Sequence, residues 1–335
     1  MTIPTSFRAM VVRANDQGGA TRAIEEMKLG DIGENEVVVK VKHSSLNYKD
    51  GLAATGHPGV ALNLPHVPGI DAVGTVVQSQ SDNVKVGNLV MVFDAKFGTA
   101  QFGGYSEYIR VPASWTYPLP DGITAADAMA YGTAGFTATQ CVMALERQGV
   151  TPAAGEVLVT GATGGVGSFA VMLLASRGFD VVAVTGKSDR IAWLGQLGAK
   201  ETISRQEATD TCDRPLLKAR WAGVVDTVGG DILTTALRST KIGGCVTACG
   251  LVASHELNMT VYPFILRGVQ LVGIDSANIS HETRTDVWHN ISGEYKIDDI
   301  AQIAEHVSFD ELDGKIEEIL TGKIAGRIIV DIAND

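Results

Sequence analysis

Val157-Leu-Val-Thr-Gly-Ala-Thr-Gly-Gly-Val-Gly167 runs from apolar, β-prone residues into clustered glycines and then directly into another apolar segment. A strand with no polar alternation suits the interior of a parallel sheet. A glycine-rich turn after it lets backbone approach a ligand, and a helix starting near Val166 offers free N–H groups and a positive dipole end to a pyrophosphate. Gly164 permits that approach, and Gly167, lacking a Cβ, lets the helix pack on the strand. Ala162 stands where the dinucleotide-binding consensus has its first glycine, so the motif is imperfect.

Glycines also serve plain turns, and the flanks decide the matter. Downstream, strand-like runs at Val181–Thr185, Glu201–Ser204, Gly223–Asp226, Gly244–Ala248 and Gln270–Ile274 alternate with helical stretches ending near Arg177, Leu197 and Leu237. That alternation predicts parallel βαβ units and a nucleotide-binding sheet. Roughly 20 residues beyond the glycines, NAD enzymes carry a carboxylate for the ribose hydroxyls. Here the second strand ends Val184-Thr-Gly-Lys-Ser188, with Arg190 following. An ammonium, a hydroxyl and a guanidinium suit a 2′-phosphate, which favours NADPH over NADH. Lys187 and Arg190 also read as ordinary solvated charges at a helix start, and Arg205 as either a further phosphate contact or a surface arginine.

Upstream the pattern changes. From about residue 7 to 120 short β-type runs, Glu36–Lys42, Gly74–Val77, Leu89–Phe93 and Tyr105–Val111, are separated by Pro and Gly turns, which predicts an antiparallel, barrel-like domain. Thr124-Ala-Ala-Asp127 reads as a capping box that opens a helix near the boundary. The 18 uncharged residues between Asp127 and Glu146 approach the length of a bilayer span, but Gly132, Thr133, Gly135, Thr137, Thr139 and Gln140 interrupt them, so a buried helix is expected and no membrane partner. The alternating run Gly326–Ile332 has no place in a parallel sheet and is expected to return to the first domain. The resulting boundaries are 1–126 with 308–335 for one domain and 127–307 for the other.

At 335 residues the chain suits two cores better than one. Its 27 basic and 38 acidic residues leave a net charge of -11, which disfavours nucleic acid as a partner. The first residues lack the pattern of a secretory signal, and Cys141, Cys212, Cys245 and Cys249 match neither a zinc knuckle nor a Cys-x-x-Cys pair. A cytoplasmic protein with reduced thiols is expected.

A β domain followed by Ala-x-Gly-Gly-Val-Gly resembles the medium-chain dehydrogenase/reductase superfamily over essentially the whole chain. Ser45-Leu-Asn-Tyr-Lys-Asp50, Pro68-Gly-Ile-Asp-Ala-Val-Gly74, Gly103-Gly-Tyr-Ser-Glu107, Tyr131-Gly-Thr-Ala-Gly-Phe-Thr-Ala138 and Asp275-Ser276 resemble its YhdH/AcuI branch, the acryloyl-CoA reductases often labelled quinone oxidoreductases. The resemblance implies an α/β fold, with a GroES-like β-barrel-type domain and a Rossmann doubly wound parallel sheet. It implies that Tyr48, Thr163, Gly164, Gly165, Val166, Thr185, Gly186, Lys187, Arg205, Leu251, Ile265, Ser276 and Arg327 contact NADPH, and that the chain forms a homodimer, with the run at Gln270–Ile274 as a candidate edge. It implies no metal, because Asn47 stands where zinc alcohol dehydrogenases carry a first Cys ligand and Gly69-Ile-Asp71 where they carry Gly-His-Glu. His57 and His66 are two isolated histidines in Pro-rich loops, short of a zinc donor set.

Reduction of an activated C=C bond needs a hydride donor, stabilisation of the developing enolate and a proton. Tyr48 is the candidate proton donor or, equally, a wall that positions nicotinamide. Its neighbours Asn47, Lys49 and Asp50 are candidates for tuning or orienting it, and Asp71 for holding the loop. Acyl-CoA phosphates need a basic rim, for which Arg267, Arg284 and Lys323 are candidates by charge alone. Reduction of a quinone and a catalytically silent NADPH-binding protein are the competing readings.

Overall fold

The amino-terminal third folds into strands β1 (Phe7–Ala14), β2 (Ala20–Met27) and β3 (Val37–Leu46), a short helix α1 (Tyr48–Ala54), then β4 (Ala72–Ser79), β5 (Leu89–Val92), β6 (Tyr108–Val111) and β7 (Thr116–Pro118). Helix α2 (Ala125–Arg147) follows, opened by the expected capping box: Asp127 N–H donates to Thr124 Oγ1 at 3.0 Å, and Asp127 Oδ2 accepts from both the N–H and the hydroxyl of Thr124. It breaks at Gly132, whose φ of 46° lies outside the helical region. Next come β8 (Val157–Val159), α3 (Gly165–Ser176), β9 (Val181–Val184), α4 (Ile191–Gln196), β10 (Glu201–Ile203), β11 (Trp221–Asp226), α5 (Gly230–Ser239), β12 (Thr240–Ala248), α6 (Tyr262–Arg267) and β13 (Gln270–Gly273). The chain closes with α7 (His281–Ser292), β14 (Ala304–Ser308), α8 (Leu312–Leu320) and β15 (Arg327–Asp331). This computed structural model describes residues 3–333.

Chain contacts divide the protein into one unit of Met1–Thr133, Ala277–Ser292 and Ala304–Asp335 and a second of Ala134–Ser276 and Gly293–Ile303. In the first, a seven-stranded sheet runs β14-β15-β3-β4-β5-β7, with β6 also on β3, and a separate β1-β2 ribbon. β15 pairs antiparallel with β3, so the carboxyl-terminal run returns to this unit as its alternating pattern implied. The stretch 277–292, expected with the nucleotide-binding half, belongs here because its aromatic residues find partners here. Trp288 stacks on Phe93 with centroids 5.5 Å apart and meets Tyr131 edge-on, and His281 stacks on Tyr117 at 4.4 Å.

The second unit is the doubly wound parallel sheet, ordered β10-β9-β8-β11-β12-β13, with every pairing parallel. Its strands β9, β8 and β11 are buried at every position, as apolar runs covered on both faces must be. The chain winds outward from β8 to β10 and then crosses to β11, so the switch of winding direction falls between β8 and β11, where such sheets bind ligands.

Candidate active and cofactor sites

The glycine-rich turn leaves β8 at that switch point. Thr160 Oγ1 donates to Asp226 Oδ1 at 2.8 Å and accepts from the Thr227 N–H, while Thr227 Oγ1 donates to the Thr160 carbonyl. Asp226 also accepts from the Gly229 N–H at 2.8 Å, which ties the carboxyl ends of β8 and β11 together. Burial pushes the Asp226 carboxyl up, against these donors. A Cβ at Gly167 would lie 2.3 Å from the Gly161 carbonyl oxygen and 2.7 Å from Ala162 Cα, so only glycine lets α3 sit this close to the strand. The free N–H groups at the start of α3, capped by Gly164, face the space in which a pyrophosphate would lie.

A cavity of about 630 Å³ opens at the ends of β9 and β10, lined among others by Thr185, Gly186, Ser188, Ile191, Arg205 and Gln206. The Arg205 guanidinium lies over Gly186, its Nε 2.9 Å from where a Cβ would stand. Burial first, and then the charge of Arg190 with a smaller push from Arg205, lowers Lys187 from its ordinary value, against the pull of Asp189. A lysine whose charge is disfavoured by burial and by a neighbouring guanidinium marks a place that an anion would relax. The close-packed turn and a cavity offering Ser188 and Arg205, with Lys187 next in sequence to its lining, together fit a dinucleotide carrying a 2′-phosphate. Thr163 and Gly164 lie in the turn and Gly165 and Val166 open α3; Thr185, Gly186 and Arg205 line the cavity, and Lys187 adjoins it in sequence between Gly186 and Ser188. Leu251 and Ile265 are exposed, at 66% and 69%, and Ser276 is half-buried beyond β13.

The first unit holds a different kind of site. β3 delivers Ser45 and then Asn47, the N-cap of α1, while the Pro68–Asp71 turn delivers Asp71. Asp71, wholly buried, accepts from Ser45 Oγ at 2.6 Å, Asn47 Nδ2 at 2.9 Å, the Thr133 N–H at 2.9 Å and Thr133 Oγ1 at 2.5 Å. Asp50, also wholly buried, accepts from the N–H groups of Asn47, Gly69 and Ile70 and from Asn47 Nδ2. Arg327 is the buried counter-charge. Its guanidinium donates to the carbonyls of Ala130 and Leu46, to Asn47 Oδ1 and to Ser45 Oγ, and lies 4.0 Å from Asp71. Burial and the charge on Asp71 push the Asp50 carboxyl up to about 7, against its N–H donors. Tyr105 donates to the Ser45 carbonyl at 3.1 Å, and burial followed by the charges of Asp50 and Asp71 pushes its phenol up. The kink at Gly132 is a requirement of this cluster, because a Cβ there would lie 2.5 Å from Asp71 Oδ2 and 2.8 Å from Arg327 Nη2.

The expected site residues therefore take different positions. Tyr48 heads α1 with 44% exposure, and its phenol has no hydrogen-bond partner among the described residues. Asn47 and Asp71 are buried and wholly engaged in fixing that helix start. Arg327, implied at the cofactor, has its donors committed inside this network. Of the basic residues taken as a rim for acyl-CoA, two are not available. Arg267 donates to the carbonyls of Leu217, Arg238 and Thr240, and Arg284 is 5% exposed with its guanidinium over Phe93 and Tyr117. Lys323 is exposed. Sequence reasoning named Asp50 as a neighbour orienting Tyr48 but left out Ser45, Gly132 and Thr133, whose parts depend on the distant Asp71 and Arg327.

Zinc does not fit here. Asn47 and Asp71 already have their lone pairs in hydrogen bonds, a guanidinium occupies the position of the charge, and His66 is bound to the Gly98 carbonyl at 2.9 Å. Among the described residues no three His, Cys, Asp or Glu side chains gather as a metal would need, and no helix is long and apolar enough to cross a membrane.

Two domain families match the chain: the alcohol dehydrogenase GroES-like domain over residues 33–121 and the zinc-binding dehydrogenase domain over 165–293. The acrylyl-CoA reductase AcuI of Ruegeria pomeroyi is 43% identical, covering 97% of this chain and 99% of its own. The yhdH oxidoreductase of Salmonella enterica, solved in complex with NADP, is 39% identical with a TM-score of 0.94, covering 97% of this chain and 100% of its own. Bacillus subtilis YhfP, named a putative quinone oxidoreductase and solved with NAD bound, is 42% identical with a TM-score of 0.94, covering 98% of this chain and 100% of the solved one.

Proposed function

The chain belongs to the acrylyl-CoA reductase AcuI family of the medium-chain dehydrogenase/reductases, and we propose that it reduces the C=C bond of a small 2-enoyl-CoA, acryloyl-CoA to propionyl-CoA, with NADPH. The observation that carries the cofactor half of this reading is the cavity lined by Gly186, Ser188 and Arg205, with Lys187 adjoining it in sequence, beside the close-packed turn at Gly161–Gly167. When bound, NADPH supplies the hydride chemistry. The α3 N–H groups would hold its pyrophosphate, and Lys187, Ser188 and Arg205 its 2′-phosphate. The first unit is the catalytic domain in this reading and the second the cofactor domain.

The chain's own contribution to the chemistry is a fixed phenol. Asp50, Asn47 and Arg327 lock the start of α1, so the Tyr48 side chain projects from a rigid turn with its hydroxyl unspent. From there it donates a proton or a hydrogen bond to the carbon or oxygen that becomes basic as the enolate develops. Tyr48→Phe is expected to lower kcat by about 10²-fold while leaving the binding of NADPH intact. The measurement is turnover with acryloyl-CoA, crotonyl-CoA and a benzoquinone in parallel, with acyl products identified by mass. Near-normal propionyl-CoA formation by the variant would end the proton-donor role, and activity on the quinone alone would replace the substrate reading by that of a quinone reductase. Cofactor binding with no oxidation by any acceptor would leave a silent binding protein.

The same reading makes the protein a homodimer in the cytoplasm. Leu257, Val261, Tyr262, Ile265 and Leu266 are exposed around β13, an edge strand whose residues are only half-covered, and such a face is a pairing surface for a second copy. Leu266→Asp should halve the mass measured by sedimentation while the circular dichroism is unchanged. A wild-type monomer, or a variant that stays dimeric, removes this face as the interface. Free cysteines and a net charge of -11 suit a reducing, crowded compartment.

A further inference from the structure

Most arginines of the described residues are already spent. Arg177 and Arg220 serve carboxylates, Arg238 and Arg267 backbone carbonyls, Arg284 two rings and Arg327 the buried cluster. Two guanidinium groups meet neither an acceptor nor a ring among the described residues: Arg147, exposed at the end of α2, and Arg205. Arg205 lines the cavity of about 630 Å³ at the ends of β9 and β10, with its Nε 2.9 Å from where a Gly186 Cβ would stand. The one acid in that lining, Glu207, accepts from the Ser204 N–H at 2.7 Å, so backbone already holds its charge. The cavity therefore offers a planar fork of donors that has no acceptor of its own. In a chain of net charge -11, which repels polyanions at long range, such a place selects them locally.

We propose that this cavity also holds the ribose 3′-phosphate of coenzyme A, so that free CoA and acyl-CoA occupy the cofactor-free protein in competition with NADPH. The inference rests on the reading that the cavity takes the 2′-phosphate of NADPH. Both molecules are adenosine 5′-pyrophosphates with one further phosphate on the ribose, at the 2′-oxygen in NADPH and at the neighbouring 3′-oxygen in CoA. They diverge only beyond the pyrophosphate, into a nicotinamide riboside in one and a pantetheine chain in the other.

The lining has no means of telling the two phosphates apart. Discrimination between near-identical ligands needs a repulsive or obstructing group set against the wrong one. Here the neighbours of the Arg205 fork are Gly186, which has no side chain, and Ser188, whose exposed hydroxyl donates to a phosphate on either oxygen. A guanidinium tied to no acceptor is also free to turn on its stem and follow the phosphate from one ribose oxygen to the next. The late arginines that charge alone would offer to CoA, Arg267 and Arg284, are engaged elsewhere, which leaves this cavity as the place in the second unit with a spare guanidinium lining it. The consequence is self-inhibition: a rising acyl-CoA pool, substrate or product, keeps NADPH off the free enzyme, and NADPH relieves the block.

The test is displacement of NADPH from the full-length protein, read by the fluorescence of the bound nicotinamide, with free CoA as competitor because it has no acyl group to reduce. CoA and adenosine 3′,5′-bisphosphate should each displace NADPH completely, at concentrations that rise in proportion to the NADPH present. Dephospho-CoA, which lacks only the 3′-phosphate, should bind about tenfold more weakly than CoA. Arg205→Ala should weaken NADPH, CoA and the bisphosphate by about tenfold each and leave dephospho-CoA unchanged. CoA that fails to displace NADPH, or that competes no better than dephospho-CoA, overturns the shared cavity. So does an Arg205→Ala protein that loses affinity for NADPH and keeps it for CoA. If the variant instead loses affinity for CoA and keeps it for NADPH, the CoA site stands and the 2′-phosphate reading falls.

Discussion

Replacing Arg327 with methionine should lower the stability of the first unit by about 3–5 kcal/mol, because it leaves Asp50 and Asp71 buried without their counter-charge. For a unit of this size that corresponds to a fall in Tm of roughly 10 °C. Arg327→Lys should recover little of it. An ammonium has three donors and no planar fork, whereas the guanidinium serves Ala130, Leu46, Asn47 and Ser45 at once. Adding Asp71→Asn to Arg327→Met should give back part of the loss by removing one of the stranded charges. The pH dependence separates a counter-charge from mere packing. Asp50 has its carboxyl raised from 3.8 to about 7, so the folded state holds a proton that the unfolded chain has already released. Its contribution is therefore present below the unfolded value and is lost as pH rises toward 7, with no further change above that. Without Arg327 the Asp50 carboxyl moves higher still, so the variant's deficit should be larger at pH 8 than at pH 5 in thermal melts. Equal deficits at the two pH values would mean that Arg327 acts there as volume and hydrogen bonds, not as charge.

That cluster marks the limit of what the sequence discloses. The strand–turn–helix at Val157–Ser176 is readable because every part of its logic is local: an apolar strand, glycines where backbone must approach backbone, a helix immediately after. Parallel winding follows from alternation alone, and the return of β15 from its two-residue period. The buried network depends on partners as far as 282 residues apart, as Ser45 and Arg327 are, and no spacing rule joins them. Asp71 and Asn47 were visible as odd residues at a familiar place, but their roles as acceptor and cap are properties of the closed sheet. For the same reason charge alone misplaced Arg267 and Arg284: a basic residue late in the chain says nothing about the carbonyls or rings it will meet. Segment 277–292 was missed because its membership is decided by Trp288 and His281 finding Phe93 and Tyr117, which are distant aromatics.

The choice of cofactor is where local sequence and geometry make the sharpest joint claim, since one relative was solved with NADP and another with NAD. Lys187→Ala with Arg205→Ala should reduce kcat/KM for NADPH on the order of 10²-fold, each charged hydrogen bond contributing about 1.5–3 kcal/mol and the two sharing one phosphate. The value for NADH should hardly change, because an unphosphorylated ribose has nothing for either cation to meet. Both side chains are partly exposed, so the NADPH preference of the unmodified protein should also shrink as ionic strength rises, and that of the double variant should not. The measurement is kcat/KM for the two cofactors in parallel at low and high salt. A fall of equal size for NADH would assign Lys187 and Arg205 to holding the sheet end together, and no change for NADPH would place the phosphate elsewhere. The close approach of Arg205 to Gly186 adds a directional version of the test. A carboxylate at position 186 meets that guanidinium at once, so Gly186→Asp alone should form an internal ion pair and weaken both cofactors. With Arg205→Ala beside it, the same carboxylate is free to accept from the ribose hydroxyls, and the preference should turn toward NADH.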